Sequence, residues 1–278
     1  MSEAAEIYLL GRDEAESRRL NEQHKLLMDF TEGLIDRSVP LEKITAVADV
    51  ATGTGIWLWD VRNLLVNRAG EFPRYFHGFD ISPAQFPPDA EGIDFTVQDI
   101  FKPFPVEHHN RYDFVNVRLL VTAIAESDYE KAVQNLITIL KPGGYLQWSD
   151  MDFSASATDD PRVAAASDLW LKYCRLNNLS QCAPTAIQKA YQDAGLLNII
   201  NRAFLPPMRE DLLERLQNWQ MQFSKTVLRL LLLKTGQAAD QAAASQRAPE
   251  LLRGLELFYA EGNIIDTRFN VVVGQKPT

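Results

Sequence analysis

The segment AVADVATGTGIWLWDV, residues 46–61, constrains the fold more than any other part of the chain. An apolar run passes through a turn with two glycines and enters a second apolar run of helical character. A buried strand that feeds a helix through a glycine turn is the opening unit of an open parallel sheet, and backbone amides at such a turn face a ligand. A dinucleotide fingerprint would carry a third small residue, so that the helix packs close to a pyrophosphate. Leu58 holds that place here, flanked by Trp57 and Trp59. The turn accepts a close ligand but is not shaped for a diphosphate.

The alternation continues along the chain. A helix is predicted from Ile56 to about Asn67, and YFHGFDIS, IDFTVQDI, YDFVNVRLL and YLQWSDMDF read as the second to fifth strands. A helix over 127–140 precedes the fifth strand and is ended by Pro142 and the pair Gly143-Gly144. Such alternation implies an α/β fold with a parallel, twisted sheet and right-handed crossovers. Ligands of these sheets bind at the carboxyl ends of the strands.

Around this core, residues 13 to about 37 read as a helix, because Leu20, Leu27 and Leu34 fall at heptad spacing and are joined by Met28 and Ile35. Residues 161–177 and 184–195 read as helices, LNIINRAFL as a strand, and 209–262 as wholly helical. NIIDTRFNVVVGQKP returns to strand alternation. The expected organisation is a helical cap over 1–40, a cofactor-binding core over 41–208, a helical lid insertion over 209–262, and a closing strand of the core over 263–278.

Composition limits the partners. The net charge of −9 over 278 residues, with no stripe of Lys and Arg, argues against nucleic acid, which needs clustered cations to neutralise phosphates. MSEAAEIYLL lacks the basic start and apolar run of a signal peptide, and VLRLLLLK is too short to span a bilayer. Cys174 and Cys182, the only cysteines, lack metal-ligand spacing and read as packing residues. The expectation is a soluble cytoplasmic protein, monomer or homodimer, with a small-molecule substrate, no metal, no membrane and no nucleic-acid partner.

The residues just after each strand carry the chemistry. Asp49 lies in the first strand, and Ala51, Gly53 and Gly55 follow at alternating positions. Asp80, ending the second strand, offers two acceptor oxygens to the two hydroxyls of a ribose. Asp99, after the third, is placed to accept from an exocyclic amine such as that of adenine. Together they describe a pocket for a nucleoside without a pyrophosphate.

The ordered set VADVATGTG, GFDIS, VQDI, YDFVNVRLL and LKPGGYLQW resembles the S-adenosylmethionine-dependent methyltransferases of Rossmann-like fold over about residues 44–153. YLLGRDEAESRRLNEQHKLL, GTGIW and the closing VVVGQKP are similar to the fungal methyltransferases of secondary metabolism. That resemblance implies a mostly parallel seven-stranded sheet with helices on both faces, and S-adenosylmethionine as cofactor. It implies that Gly53 and Gly55 line the methionine and ribose part and that Asp80 binds the ribose. Asp99 and Ile100 would hold the adenine, with Asp49, Ala51 and Ile81 in the same cofactor-binding set. Arg118 would face the methionine part or the substrate. Ala51 stands where the family usually has glycine.

In that family the N-terminal helix folds over the cofactor, so Tyr8, Arg12, Arg19, Asn21 and His24 are weighed against the alternative of a solvated amphipathic helix. His24, beside the leucine stripe, is the candidate general base. Asp150 and Asp152 follow the fifth strand and are candidates for the catalytic and substrate-binding sets, although strand-end Asp is also common turn chemistry. Tyr8, Arg12, Trp219 and Phe223 complete the substrate-binding candidates. His77 reads as a satisfied core histidine, His108 and His109 as surface residues, and Trp148 as core or pocket wall.

Methyl transfer needs alignment and exclusion of water more than a strong base. VRLL after the fourth strand differs from the Pro-Pro-aromatic signature of enzymes that methylate amide or adenine nitrogen. The expectation is methylation of a small secondary metabolite, oxygen slightly ahead of nitrogen. The alternatives are a cyclase or pericyclase on the same scaffold, and a non-catalytic regulator of secondary metabolism.

Overall fold

The computed structural model describes residues 13–31, 33–69, 74–90, 92–156, 159–206 and 209–278. Its centre is β1 (Ala46–Val50), whose five residues are all buried. Parallel partners flank it on both sides: β2 (Tyr75–Asp80) on one, β4 (Tyr112–Arg118) on the other. With β3 (Asp94–Val97), β5 (Leu140–Asp152), β6 (Leu197–Phe204) and β7 (Arg268–Gln275), they form one seven-stranded sheet in the order β3-β2-β1-β4-β5-β7-β6. The chain reverses direction of travel between β1 and β4, which makes the crevice at their carboxyl ends the topological binding point. β7 runs antiparallel to both β5 and β6.

The first helix, α1 (Glu14–Phe30), starts where the Asp13 carboxylate accepts the Glu16 N–H at 2.9 Å. It is shorter than its leucine spacing suggests. Thr31 closes it by donating its N–H and hydroxyl to the Leu27 carbonyl, both at 2.8 Å, and Leu34 enters the core from the loop beyond. A heptad of leucines cannot distinguish a longer helix from a helix followed by a core-seeking loop.

α2 (Ile56–Ala69) and α3 (Tyr129–Ile139) are the crossover helices. Trp57 and Leu58, set where a third glycine would stand, are buried in the core, Trp57 stacked on Phe114 with ring centroids 6.1 Å apart. Both pack into the core of the sheet, and neither lines the ligand-side cavity. His77 is satisfied as expected, between the Tyr75 hydroxyl (2.6 Å) and the Thr96 hydroxyl (2.8 Å). His108 is not a surface residue: it is buried against His77 and Phe79 and bonded to the Tyr112 hydroxyl at 2.8 Å. Its polar loop hides one inward position.

The remaining helices are α4 (Pro161–Leu176), α5 (Ala183–Asp193), α6 (Glu210–Lys234) and α7 (Gln241–Ala260). The stretch expected to be wholly helical breaks at Thr235, and Asp240 caps α7 through the Ala243 N–H at 2.8 Å. α4, α6 and α7 share a second apolar core, distinct from that of the sheet and including Val163, Trp170, Leu228 and Leu255. α4, which precedes residue 209, thus shares one apolar core with the two helices that follow it.

α4 and α7 cross closely at Gly254, where an added Cβ would collide with the Arg162 carbonyl oxygen. No rotamer change relieves overlap with backbone. Gly254→Ala is expected to force the helices apart and to cost about 2 kcal/mol of stability, read as a lower urea midpoint. An unchanged midpoint would rule out this close crossing.

Candidate active site

A cavity of about 280 Å³ opens at the carboxyl ends of β1 to β4. Its inner wall comes from residues 50–54 after β1, Asp80 and Ile81 after β2, 98–101 after β3 and 118–124 after β4. α1 covers it with Arg19, Leu20, Gln23, His24 and Leu27, and α4, α6 and α7 supply the outer wall. Asn21 ties α1 to the glycine turn by accepting the Thr54 hydroxyl at 2.8 Å.

The turn itself is wound through left-handed conformations at Ala51 (φ 61°), Gly53 (54°) and Gly55 (74°). For the alanine this costs about 1 kcal/mol relative to a right-handed residue. A Cβ at Gly53 would meet only Leu20 Cδ1, at 3.4 Å, so the backbone there lies open to the cavity. The Gly53 N–H donates to Asp80 Oδ2 (2.9 Å) and the Ser82 N–H to Oδ1 (3.1 Å). These two backbone donors, one to each oxygen, orient the plane of the carboxylate. Asp99 is held in the same way by the Phe101 N–H at 2.9 Å. Gln98 braces its loop by donating to the carbonyls of Asp99 and Lys102 at 2.9 and 3.1 Å.

Of the expected cofactor residues, Ala51, Gly53, Asp80, Ile81, Asp99, Ile100 and Arg118 line this one cavity. Asp49 and Gly55 stand behind it. Asp49 is buried and accepts the Thr52 hydroxyl and the Asn116 amide, both at 2.8 Å. Burial pushes its carboxyl up to about 6, and the Arg118 charge opposes that rise. Gly55 makes room for the Phe95 ring, which a Cβ would meet at 2.7 Å.

His24 lines the cavity with both ring nitrogens engaged. Its Nε2–H donates to Asp60 Oδ2 at 2.8 Å, and its Nδ1 accepts from Arg118 Nη1 at 3.1 Å. Burial, and then the Arg118 charge, pull the imidazole down to about 4, with Asp60 resisting. The ring is neutral at physiological pH, and its lone pair is already committed. This geometry makes His24 a strut between α1, α2 and β4 rather than a waiting base.

Asp150 is fully buried and outside the cavity lining. It accepts the N–H groups of Leu120 (2.9 Å), Val121 (3.3 Å) and Met151 (2.9 Å) and the Trp148 indole N–H (3.2 Å). Burial raises its carboxyl to about 6 against those bonds. It shapes the turn after β4, where Leu119 is left-handed (φ 58°), and presents no oxygen to a substrate. Asp152 accepts the Ser154 N–H at 2.8 Å and is likewise outside the lining. Trp219 and Phe223 do line the cavity. Tyr8 and Arg12 lie outside the described residues.

Ser167 and Trp170, from α4, also line it and were not among the sequence candidates. The available signal was a serine within the apolar stripe of Val163, Ala166, Trp170 and Cys174. Among the described residues, no helix is long and apolar enough to cross a membrane, and no acid, histidine and cysteine group could hold a metal.

A family model described as a methyltransferase domain matches residues 21–231. The chain belongs to the methyltransferase family. Methyltransferase grgD of Penicillium sp is 35% identical over 205 residues, which cover 71% of this chain and 72% of that protein. N-methyltransferase sirN of Leptosphaeria maculans is 36% identical over 142 residues, 50% of this chain and 48% of that protein, so the match spans about half of that relative. In fold, this methyltransferase is similar to phosphoethanolamine N-methyltransferase 2 of Haemonchus contortus, solved in complex with S-adenosyl-L-methionine. That likeness has a TM-score of 0.53 at 17% identity, covering 93% of this chain and 53% of the other. The Rossmann-like methyltransferase architecture expected from sequence is the one the chain adopts, and the cofactor of the family is S-adenosylmethionine.

The methyltransferase cavity fits that cofactor on its own geometry. An open backbone at Gly53, an oriented carboxylate at Asp80 and a second at Asp99 line the cavity, with Ile81 and Ile100 each directly following one of the two aspartates in the chain. A neutral His24 contributes stability that is complete above about pH 6.5 and is lost as pH falls through about 4. The His24 ring signals in NMR are therefore expected to stay those of the neutral Nε2–H form from pH 8 to about pH 5. Titration near 6.5 would refute the strut geometry.

Proposed function

We propose that this chain transfers a methyl group from S-adenosylmethionine to an uncharged small molecule of fungal secondary metabolism. The observation that carries this reading is a single cavity whose inner wall offers polar strand-end groups and whose outer wall is apolar. When bound, the cofactor supplies an electrophilic methyl on a sulfonium. Asp80 would accept the ribose hydroxyls while Gly53 lets that sugar approach the backbone. Asp99 would accept from the adenine amine, with Ile81 and Ile100 as apolar neighbours of the base. Arg118, propped by His24, would face the methionine end.

For the acceptor, the chain's task is to orient the nucleophile and exclude water. α1 on one side and α4, α6 and α7 on the other do both. With His24 committed and Asp150 behind the wall, the outer half holds no free base among the described residues. That favours a nucleophile with an available lone pair, and the name of the Leptosphaeria relative supports nitrogen over the oxygen expected from sequence.

Asp80→Ala is expected to weaken S-adenosylmethionine by about 2 kcal/mol, roughly thirtyfold, in calorimetry, with the fold intact by circular dichroism. Unchanged affinity would remove Asp80 from the site. Incubation of extracted metabolites with methyl-labelled cofactor should give a product heavier by one methyl, on nitrogen by NMR. A cofactor-binding chain that transfers no label and retains a stable protein partner would instead support a regulator.

A further inference from the structure

A second cavity, of about 160 Å³, lies where the loop after α1 meets the face of β5, β7 and β6. Its charged lining is Arg37, Arg118, Arg202 and Asp36, three cations against one acid, whereas in the first cavity Arg19 and Arg118 balance Asp80 and Asp99. One row of the sheet builds this imbalance. Arg118 pairs in register with Ser149, Ser149 with Val271, and Val271 with Arg202. Residues paired in register point to the same face, so a serine hydroxyl and two guanidiniums stand on one side of four strands. Three spacings of about 4.8 Å separate the two arginines, within reach of two such long side chains.

The chain leaves these cations short of counter-charge. Asp36 is spent: its Oδ2 accepts from Arg202 Nε at 2.8 Å and its Oδ1 from the Ser38 N–H at 2.9 Å. Arg118 donates to His24 at 3.1 Å and has no carboxylate in ion-pair contact among the described residues; Asp49 and Asp60 support its charge from farther off. Arg37 has no ion pair among the described residues. These donors are open to a ligand, since Arg37 is exposed, Arg118 is half-buried and the Arg202 side chain is 28% exposed. The Ser149 hydroxyl, unbonded among the described residues, keeps accessible surface although its residue is buried. Enclosed charges are paired in native proteins, and the planar fork of a guanidinium matches carboxylate and phosphate oxygens. Arg37, Ser149 and Arg202 line this cavity and not the first, while Arg118 lines both. We infer that the second cavity binds a small oxyanion, a carboxylate or a phosphate group, between Arg118, Ser149 and Arg202 with Arg37 at its edge, and that Arg118 couples it to the first cavity.

The test titrates the full chain with inorganic phosphate or with acetate, replacing chloride at constant ionic strength, before and after saturation with S-adenosylhomocysteine. Nitrogen NMR reads the His24 ring, whose Nδ1 accepts from Arg118, with the His77 ring as internal reference. At least one of the two anions should bind at millimolar concentration, move the His24 signals and leave those of His77 in place; the tighter of the two gives the class of the ligand. Ser149→Ala should weaken it about tenfold and Arg37→Gln about threefold to fivefold. Arg229→Gln, a control at an exposed arginine of α6, should stay within about twofold. The inference is overturned if neither anion binds at tens of millimolar, if binding leaves His24 unmoved, or if the Arg229 variant loses as much as the Arg37 variant. Displacement of the anion by S-adenosylhomocysteine, together with no effect of Ser149→Ala and Arg37→Gln, would put the anion in the first cavity and overturn it as well. If Ser149→Ala fails to fold, Arg37→Gln and the His24 signals decide. Failure of S-adenosylhomocysteine to bind beside an intact anion response would count against the proposed function alone.

Discussion

The turn that faces the ligand stands on a carboxylate buried in the middle of the sheet. Asp49 pairs in register with Asn116 of β4, and Asn116 with Gln147 of β5, so one row across three strands carries polar side chains. Asp49 accepts from Thr52 in the turn and from Asn116 in the sheet. Gln147 passes the row on, donating to Asn116 Oδ1 (3.2 Å) and the Leu34 carbonyl (3.0 Å) and accepting the Asp36 N–H (2.8 Å). Asp36 then pairs with Arg202 of β6 at 2.8 Å. In a low-dielectric interior such a chain is stable only when every member is satisfied, and then it specifies one arrangement. Through it, the left-handed turn, the loop after α1 and the far edge of the sheet share one register.

The cavity is the seam between two apolar cores with different work. The core under the sheet holds the strand ends, which supply Asp80, Asp99 and Arg118 to the cavity wall, while α1 adds Arg19. The α4–α6–α7 core holds the outer wall, which is apolar except for uncharged donors and acceptors. α1 belongs to both sides: Thr54 bonds to its Asn21, and its Asp29 pairs with Arg215 of α6 at 2.6 Å. That last pair is exposed and worth little in energy, so the register between α1 and α6 depends on packing.

Periodicity and turn chemistry made the sheet legible before any coordinates. Strands ending in Asp and helices ending in Pro or Gly-Gly leave little freedom in an α/β topology. The strand-end residues Gly53, Asp80 and Asp99 were legible for the same reason, since the fold rule names their positions. Asp49 and Gly55 sat in the same motif but face inward. Alternation along a turn does not say which side a residue with positive φ presents. Asp150 followed the same strand-end logic and turned out to brace backbone, because a carboxylate ringed by N–H donors looks the same in sequence as one facing a substrate. Ser167 and Trp170 were hidden for a different reason. A helix stripe reads as core whether it meets another helix or an open cavity, and only tertiary packing separates the two.

The commitment of His24 bears on how the chain would accelerate methyl transfer. Its ring joins Arg118 to Asp60, which links the end of β4 to α2 through a residue of the covering helix. Arg118 is itself half-buried, with desolvation lowering its affinity for a proton and Asp49 and then Asp60 opposing that. A neutral imidazole placed between a cation and a carboxylate adds no net charge, yet it fixes the guanidinium in direction. For a displacement at a methyl group, direction is the larger resource, since the sulfonium already supplies the electrophilicity. Alignment of this kind yields more than a proton acceptor would, provided that the nucleophile brings its own lone pair. The charged groups of the cavity wall therefore stand on the side of α1 and the strand ends, and among the described residues α4, α6 and α7 add none to it.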